Sequence, residues 1–167
     1  KKAFKEGYRE RAVYKLEELD KKYSILHPKD QVLDLGCHPG SWLKYLSERT
    51  FKVLGIDIKP TDDLKLKNVR TIIKDVNEFD YLEYLDKLTV LVSDMAPNTT
   101  GNIELDQYNS FLLCMQALRI ADKFLVEEGS LVMKYFQGEE EKELIEECKK
   151  RFDFVKAQKP KTSRKKS

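Results

Sequence analysis

The chain has 167 residues, of which 41% are hydrophobic and 36% are charged, and its formal net charge is +2. This length suits one domain whose core needs neither disulfides nor a metal ion. No apolar run reaches membrane-spanning length and no signal-peptide pattern is present, so we expect a soluble globular protein with no membrane partner. The cysteines Cys37, Cys114 and Cys148 form no C-x-x-C pair, which argues against a zinc site or a disulfide framework and suits a reducing cytoplasm.

Basic residues are concentrated at the two ends of the chain. The first group is Lys1, Lys2, Lys5, Arg9, Arg11 and Lys15, and the second is Lys156, Lys159, Lys161, Arg164, Lys165 and Lys166. Basic ends around a balanced middle suggest a polyanion as partner. On charge alone, simple solvation of these ends is an equally good interpretation.

A leading amphipathic helix is predicted over residues 8–22, because Ala12, Val13, Leu16 and Leu19 recur at helical spacing. Strands are then predicted at residues 31–36, 52–57, 70–74, 88–94, 130–136 and 152–158. Helices are predicted at residues 41–48, 78–86, 106–126 and 139–150, and Gly129 is expected to stop the long helix. This alternation predicts an α/β fold with a mostly parallel, doubly wound sheet covered by helices on both faces.

The first predicted strand leads into a turn rich in glycine and proline, Gly36-Cys37-His38-Pro39-Gly40. Ligands of open α/β sheets bind outside the carboxyl ends of the strands, where glycine allows the backbone to approach them closely. Because the turn does not read G-x-G-x-x-G, a dinucleotide fits it less well than S-adenosylmethionine, which has no phosphates to cradle. The predicted cofactor-binding residues are Asp34, Gly36, Pro39, Gly40, Ser41, Trp42, Asp57, Asp75 and Asp94.

Three of these residues have distinct expected roles. Asp57 would accept hydrogen bonds from the ribose hydroxyls, Asp75 would face the adenine amine, and Trp42 would wall the site. Each has a plainer alternative: Trp42 as a core residue, and Asp57 and Asp75 as caps of their own loops. Their shared position just beyond strand ends favours the cofactor interpretation.

Four segments, read in order, carry a resemblance to a known family. They are Arg9-Glu-Arg-Ala-Val-Tyr-Lys-Leu16, Asp34-Leu-Gly-Cys-His-Pro-Gly-Ser-Trp42, Ser93-Asp-Met-Ala-Pro-Asn98 and Val132-Met-Lys-Tyr-Phe-Gln-Gly138. With them the chain closely resembles the FtsJ (RrmJ) family of RNA ribose 2′-O-methyltransferases. The resemblance implies a Rossmann-like class I methyltransferase fold, S-adenosyl-L-methionine as cofactor, and methylation of a ribose in RNA, with large-subunit ribosomal RNA as the first substrate to consider.

The resemblance also implies a Lys-Asp-Lys-Glu catalytic tetrad, of which Lys15, Asp94 and Lys134 match three members. The glutamate is expected beyond Ser167, in a last antiparallel strand that this chain does not contain. We therefore expect a single methyltransferase domain over residues 1–167 of a longer protein. It would comprise a leading basic helix at 1–22, a catalytic core at 31–158 and a basic loop at 159–167.

Two roles are open for Lys134, which we expect to be the central catalytic residue. A lysine acts as a base only when neutral, and at the reference pKa of about 10.4 the neutral fraction near pH 7 is below roughly one in a thousand. A second ammonium from Lys15 and burial would favour the neutral form, whereas Asp94 would oppose it. Alternatively, Lys134 stays charged and steers the ribose oxygen while water accepts the proton late.

The expected partner is RNA, as ribosomal RNA or within the large ribosomal subunit, with the protein acting as a cytoplasmic monomer. Arg9 and Arg11 on one side, and Arg164 and Lys165 on the other, are expected to hold phosphates around the target ribose. A transfer RNA methyltransferase and a catalytically silent RNA-binding module are the alternatives. A small-molecule methyltransferase is disfavoured by the basic ends.

Overall fold

The computed structural model describes the backbone of residues 2–77 and 80–159, and the side chains of residues 12–77 and 80–159. Its helices are α1 (Lys2–Tyr23), α2 (Leu43–Arg49), α3 (Ile103–Phe124) and α4 (Glu141–Lys149). Its strands are β1 (Gln31–Leu35), β2 (Lys52–Asp57), β3 (Val69–Ile73), β4 (Leu88–Ser93) and β5 (Leu125–Met133). A short 3-10 helix covers Tyr81–Glu83.

The five strands form one parallel sheet in the order β3-β2-β1-β4-β5. All five residues of β1 are buried, because this strand lies at the centre with neighbours on both sides. Such a strand needs apolar residues on both faces, and Val32, Leu33 and Leu35 supply them. The predicted α/β fold with a doubly wound, Rossmann-like sheet is confirmed.

Helices cover both faces of the sheet, and successive residues of β1 pack alternately into the two cores on its two faces. Leu33 and Leu35 pack in a cluster that includes Ala117 from α3. Val32, on the other face, packs in a cluster with Leu16 of α1 and with α2. Because side chains alternate along a strand, Asp34 lies on the same face as Val32, beneath α1 and α2.

Most element boundaries shift by a few residues, and two predicted features in the middle of the chain are not confirmed. In place of the helix predicted at 78–86, the described residues contain only the 3-10 helix at 81–83. The Asp80 side chain caps it by accepting a hydrogen bond from the Leu82 N–H. Residues 78 and 79 are outside the described part. The long helix ends at Phe124, so Gly129 lies inside β5 and the prediction that it stops the helix is wrong. β5 starts early because Leu125 pairs with Leu88 before the register jumps to Ser130 opposite Val90.

The predicted strand at 152–158 is absent from the structure, where these residues follow α4 without strand pairing. A strand requires a hydrogen-bonded neighbour, and β5 is the last strand on this side of the sheet in the described ranges. Among the residues described, no helix is both long enough and apolar enough to cross a membrane.

Candidate active site at the carboxyl edge of the sheet

The predicted site residues follow the carboxyl ends of four neighbouring strands. Gly36 follows β1, Asp57 ends β2, Asp94 follows β4 and Lys134 follows β5. The chain winds outward in opposite directions from β1 and β4, so the two strands form the point where the strand order reverses. Open α/β sheets bind ligands in the crevice outside this point.

Asp94 and Lys134 form an ion pair, with Lys134 Nζ 2.9 Å from Asp94 Oδ1. The two side chains are 22% and 25% exposed, so the pair is largely shielded from water but open on one side. The Lys134 backbone is fixed on both sides: its N–H donates to the Ser93 carbonyl at 2.9 Å, and its carbonyl accepts from the Cys114 thiol at 3.3 Å. The β4–β5 pairing therefore determines where this ammonium lies.

The turn after β1 requires glycine at position 36. Gly36 has a φ of +69°, and a Cβ built there would lie 2.7 Å from Met95 Cγ and 3.3 Å from Met95 Cα. The N–H groups of Gly36 and Cys37 both donate to the Ile56 carbonyl, which fixes the turn against β2. The absence of a side chain thus lets the turn lie directly against the loop that carries Asp94.

Two buried polar atoms at this turn have no hydrogen-bond partner among the described residues: Asp34 Oδ1 and Ser41 Oγ. Asp34 is only 1% exposed. Burial, with the nearby carboxylates of Asp94 and Asp57, raises the pKa of Asp34 well above its usual value. Buried polar atoms are normally satisfied, so these two fit a site whose polar partner is a ligand.

Trp42 joins the turn to the leading helix. Its indole N–H donates to the Ala12 carbonyl at 2.8 Å, and its ring is buried in the core with Ala12 and Leu16. The alternative of a core role for Trp42 is therefore observed, and the predicted contact of its side chain with a cofactor stays a prediction. Lys15, on the same helical turn, is half-buried.

Asp57 and Asp75 both cap the loops that follow them, and Asp57 also caps the turn after β1. Asp57 accepts from the backbone N–H groups of His38 at 2.9 Å and Lys59 at 3.0 Å. Asp75 is exposed and accepts from the Asn77 N–H at 2.9 Å. A carboxylate oxygen can accept more than one hydrogen bond, so these caps leave room for the predicted ribose and adenine contacts.

The other predicted residues fall into two groups. Pro39 is half-buried and Gly40 is buried, and both belong to the turn. The side chains of Arg9, Arg11, Arg164 and Lys165 lie outside the described residues. In the described part of the chain, no group of three or more histidine, cysteine or acidic side chains is arranged to hold a metal ion.

Sequence reasoning missed His38 and Met95. The His38 ring Nδ1 lies 2.7 Å from the Pro60 carbonyl, so this residue ties the turn to the loop after β2 by its ring and its backbone. Because His38 is a polar residue inside a glycine-rich turn, the sequence alone was enough to name it as a residue that contacts a neighbouring loop. The contact of Met95 with Gly36 depends on how two loops meet, and the sequence contains no comparable signal for it.

The sheet, its switch point and these loops define a Rossmann-like methyltransferase fold. The structure of a protein from Plasmodium falciparum assigned as a ribosomal RNA methyltransferase shares it, with a TM-score of 0.81, 32% identity and 93% of each chain covered. A ribosomal RNA methylase from Streptococcus thermophilus, at 15% identity and a TM-score of 0.50, shares the fold over 78% of this chain and 74% of its own.

The sequence comparisons identify the family. The model described as FtsJ-like methyltransferase matches residues 8–167, and this chain belongs to that family. A relative from Desulfatibacillum aliphaticivorans, named ribosomal RNA large subunit methyltransferase E, is 44% identical over 99% of this chain and 83% of its own length. A relative of the same name from the Wolbachia of Brugia malayi is 42% identical over 98% of this chain and 76% of its own.

Proposed function

We propose that this protein methylates a ribose 2′-hydroxyl of large-subunit ribosomal RNA with S-adenosylmethionine as methyl donor. The observation that carries the proposal is the Lys134–Asp94 ion pair at the switch point of a methyltransferase sheet. The names of the relatives in Desulfatibacillum aliphaticivorans and Wolbachia support ribosomal RNA as the substrate.

The turn after β1 fits the proposed cofactor. S-adenosylmethionine supplies an electrophilic methyl group on a positively charged sulfur. The buried, unpartnered oxygens of Asp34 and Ser41 offer polar contacts to such a ligand. In the proposal, Asp57 holds the ribose hydroxyls and Asp75 the adenine amine.

Lys134 would orient the ribose oxygen as a charged group. The ion pair places the Lys134 ammonium against the Asp94 carboxylate, and an ammonium donates hydrogen bonds but accepts none. A hydrogen bond from Lys134 to the 2′-oxygen would aim the remaining lone pair at the methyl group, with water accepting the proton as the new bond forms. Of the two roles open for this residue, the ion pair supports the second.

Lys15 would complete the polar cluster from α1. The neighbouring residues Ala12 and Leu16 are buried against the turn, and Ala12 is hydrogen-bonded to Trp42. The helical turn that carries Lys15 is therefore the part of α1 that packs against the turn after β1. Arg9 and Arg11 precede it on α1, and we propose that they hold RNA phosphates together with Arg164 and Lys165.

Methyl transfer from labelled cofactor tests the proposal. The substrates are large ribosomal subunits, free large-subunit ribosomal RNA and transfer RNA, and the products are analysed for 2′-O-methylated ribose. We expect label in ribosomal RNA. Label in transfer RNA alone would show that transfer RNA is the substrate instead of ribosomal RNA. Cofactor binding without methyl transfer to any RNA would favour a catalytically silent RNA-binding module.

Substitutions at position 134 test the mechanism. Lys134→Met keeps the bulk of the side chain but removes the charge, and we expect it to reduce the rate by about 10²- to 10⁴-fold. Lys134→Arg keeps a permanent charge, so it should retain measurable activity if orientation is the role and none if a base is needed. Lys87→Met is the matched control, because Lys87 is exposed and precedes β4 at the opposite edge of the sheet. Wild-type turnover by Lys134→Met would remove this residue from the mechanism.

A further inference from the structure

Asp34 is a buried carboxyl group in an unusual setting. Its side chain is 1% exposed, and its Oδ1 accepts no hydrogen bond from any residue that the structure describes. A negative charge on this oxygen would have neither water nor a hydrogen-bond donor from the described residues, which is costly. The residue lies inside β1, paired in register between Gly55 of β2 and Val92 of β4, so it cannot move towards solvent without disturbing the sheet.

The charged groups around Asp34 make its ionised form still less favourable. Asp57 at the end of β2 and Asp94 after β4 are both negative neighbours. Lys134, the cation that follows β5, is already paired with Asp94. On the face beneath α1, the Cys37 thiol lies near this group: burial, and next the charge that Asp34 carries when it is ionised, raises the pKa of Cys37 to about 12.

Lys15 is the charged residue of α1 on the helical turn whose neighbours Ala12 and Leu16 pack on that same face of the sheet. It and Lys134 are the two cations predicted for the site. Three carboxyl groups, those of Asp34, Asp57 and Asp94, lie close together here, and the ammonium of Lys134 is paired with Asp94. A further positive charge beside Asp34 would therefore stabilise its ionised form.

We propose that Asp34 holds a proton in the ligand-free protein and releases it to solvent when the cationic methyl donor binds. This inference rests on the proposed function. The O–H bond of the carboxyl group breaks, the proton passes to the buffer, and the positive charge of the ligand replaces it next to the carboxylate. The demethylated product has lost the sulfonium charge, so its binding should release fewer protons.

Isothermal titration calorimetry of the whole chain with S-adenosylmethionine tests this directly. Titrations at one pH in buffers of different ionisation enthalpy give the number of protons released per ligand bound, and the series is repeated from pH 5 to pH 9. We expect release of up to one proton in the wild type and close to none in Asp34→Asn. The matched control Asp63→Asn changes an exposed carboxylate on a neighbouring loop and should release as many protons as the wild type.

Two measurements on the wild type need no variant and keep the inference testable if Asp34→Asn does not fold. The affinity for S-adenosylmethionine should fall by up to tenfold for each pH unit of acidification while Asp34 is protonated in the free protein, and should level off at higher pH. In infrared difference spectra, binding should remove the carbonyl stretch of a protonated carboxylic acid.

The outcomes separate this inference from the proposed function. Binding of S-adenosylmethionine with no proton release at any pH would overturn the inference and leave the proposed function standing. Equal proton release by S-adenosylmethionine and S-adenosylhomocysteine would also overturn it, because the two ligands differ by one positive charge. Absence of binding would overturn both.

Discussion

Replacing Gly36 by alanine should destabilise the protein through two effects that a second glycine can separate. Gly36 and Gly101 both have positive φ, +69° and +87°. An alanine in this left-handed region destabilises the folded state by about 1–2 kcal/mol. It also lowers the conformational entropy of the unfolded chain, which offsets about 0.4–1 kcal/mol of that loss. At Gly101 a Cβ would meet nothing within 4 Å, so Gly101→Ala should show only this backbone cost.

At Gly36 a steric cost is added. The new Cβ would lie 2.7 Å from Met95 Cγ, well inside the ordinary carbon–carbon separation of about 3.5–4.0 Å. Forcing an extra carbon into a packed site costs roughly 1–3 kcal/mol. In a domain of this size each kcal/mol lowers the melting temperature by about 2–4 °C, so Gly36→Ala should melt about 2–12 °C below Gly101→Ala.

Thermal unfolding followed by circular dichroism checks this, with both variants in the same buffer. The Gly36→Ala change should also cost less when Met95 is replaced by alanine, since Cγ is then gone and only the approaches to Cα at 3.3 Å and to Cβ at 3.5 Å remain. Equal melting temperatures for the two glycine variants would refute the close contact between the turn and the loop that carries Asp94.

The remaining predictions concern the core, the thiols and the RNA surface. Trp42→Phe leaves the Ala12 carbonyl without its donor and should lower the free energy of unfolding by about 1–3 kcal/mol in urea titrations; an unchanged value would show that this bond does not hold α1. Burial raises the pKa of Cys37 and Cys114 to about 12, so iodoacetamide at pH 8 should label both only after unfolding, as peptide mass spectrometry would reveal. The folded protein keeps these two thiol protons at pH values where the unfolded chain loses them. The free energy of unfolding should therefore be undiminished below about pH 9 and should fall as the pH rises towards 12. In urea titrations from pH 9 to 11, Cys37→Ala should reduce the slope of this fall by about 1.4 kcal/mol per pH unit. Raising the salt concentration should weaken RNA binding steeply in filter-binding assays and leave S-adenosylmethionine binding nearly constant; RNA binding insensitive to salt would argue against phosphate contacts by the basic ends.

The fold was largely predictable because its central strands, β1, β2 and β4, are mostly apolar and buried. Continuous runs such as residues 89–92 have few alternatives to a buried parallel strand. Boundaries were less predictable where tertiary pairing decides them: β5 begins at Leu125 because that residue pairs with Leu88, and residues 152–158 have no neighbour to pair with in the described part.

The site was predictable in outline for a related reason. Residues at the carboxyl ends of parallel strands meet at one edge, so Asp94 and Lys134 were expected to be close, and the strand order puts β4 directly beside β5. The contact of Gly36 with Met95 was not predictable, because it depends on how two loops meet. The catalytic and binding roles of these residues stay predictions until the experiments above are made.

The hydrogen bond from Trp42 to Ala12 makes the turn after β1 and the leading helix parts of one mechanical unit. A ligand whose binding moves the turn would also reposition the helix that carries Lys15. Such coupling is reciprocal, so a substrate held by the helix would change the affinity of the turn for its own ligand by the same factor. Loading of the two substrates would then be cooperative, through this hydrogen bond and the buried cluster that contains Trp42, Ala12 and Leu16.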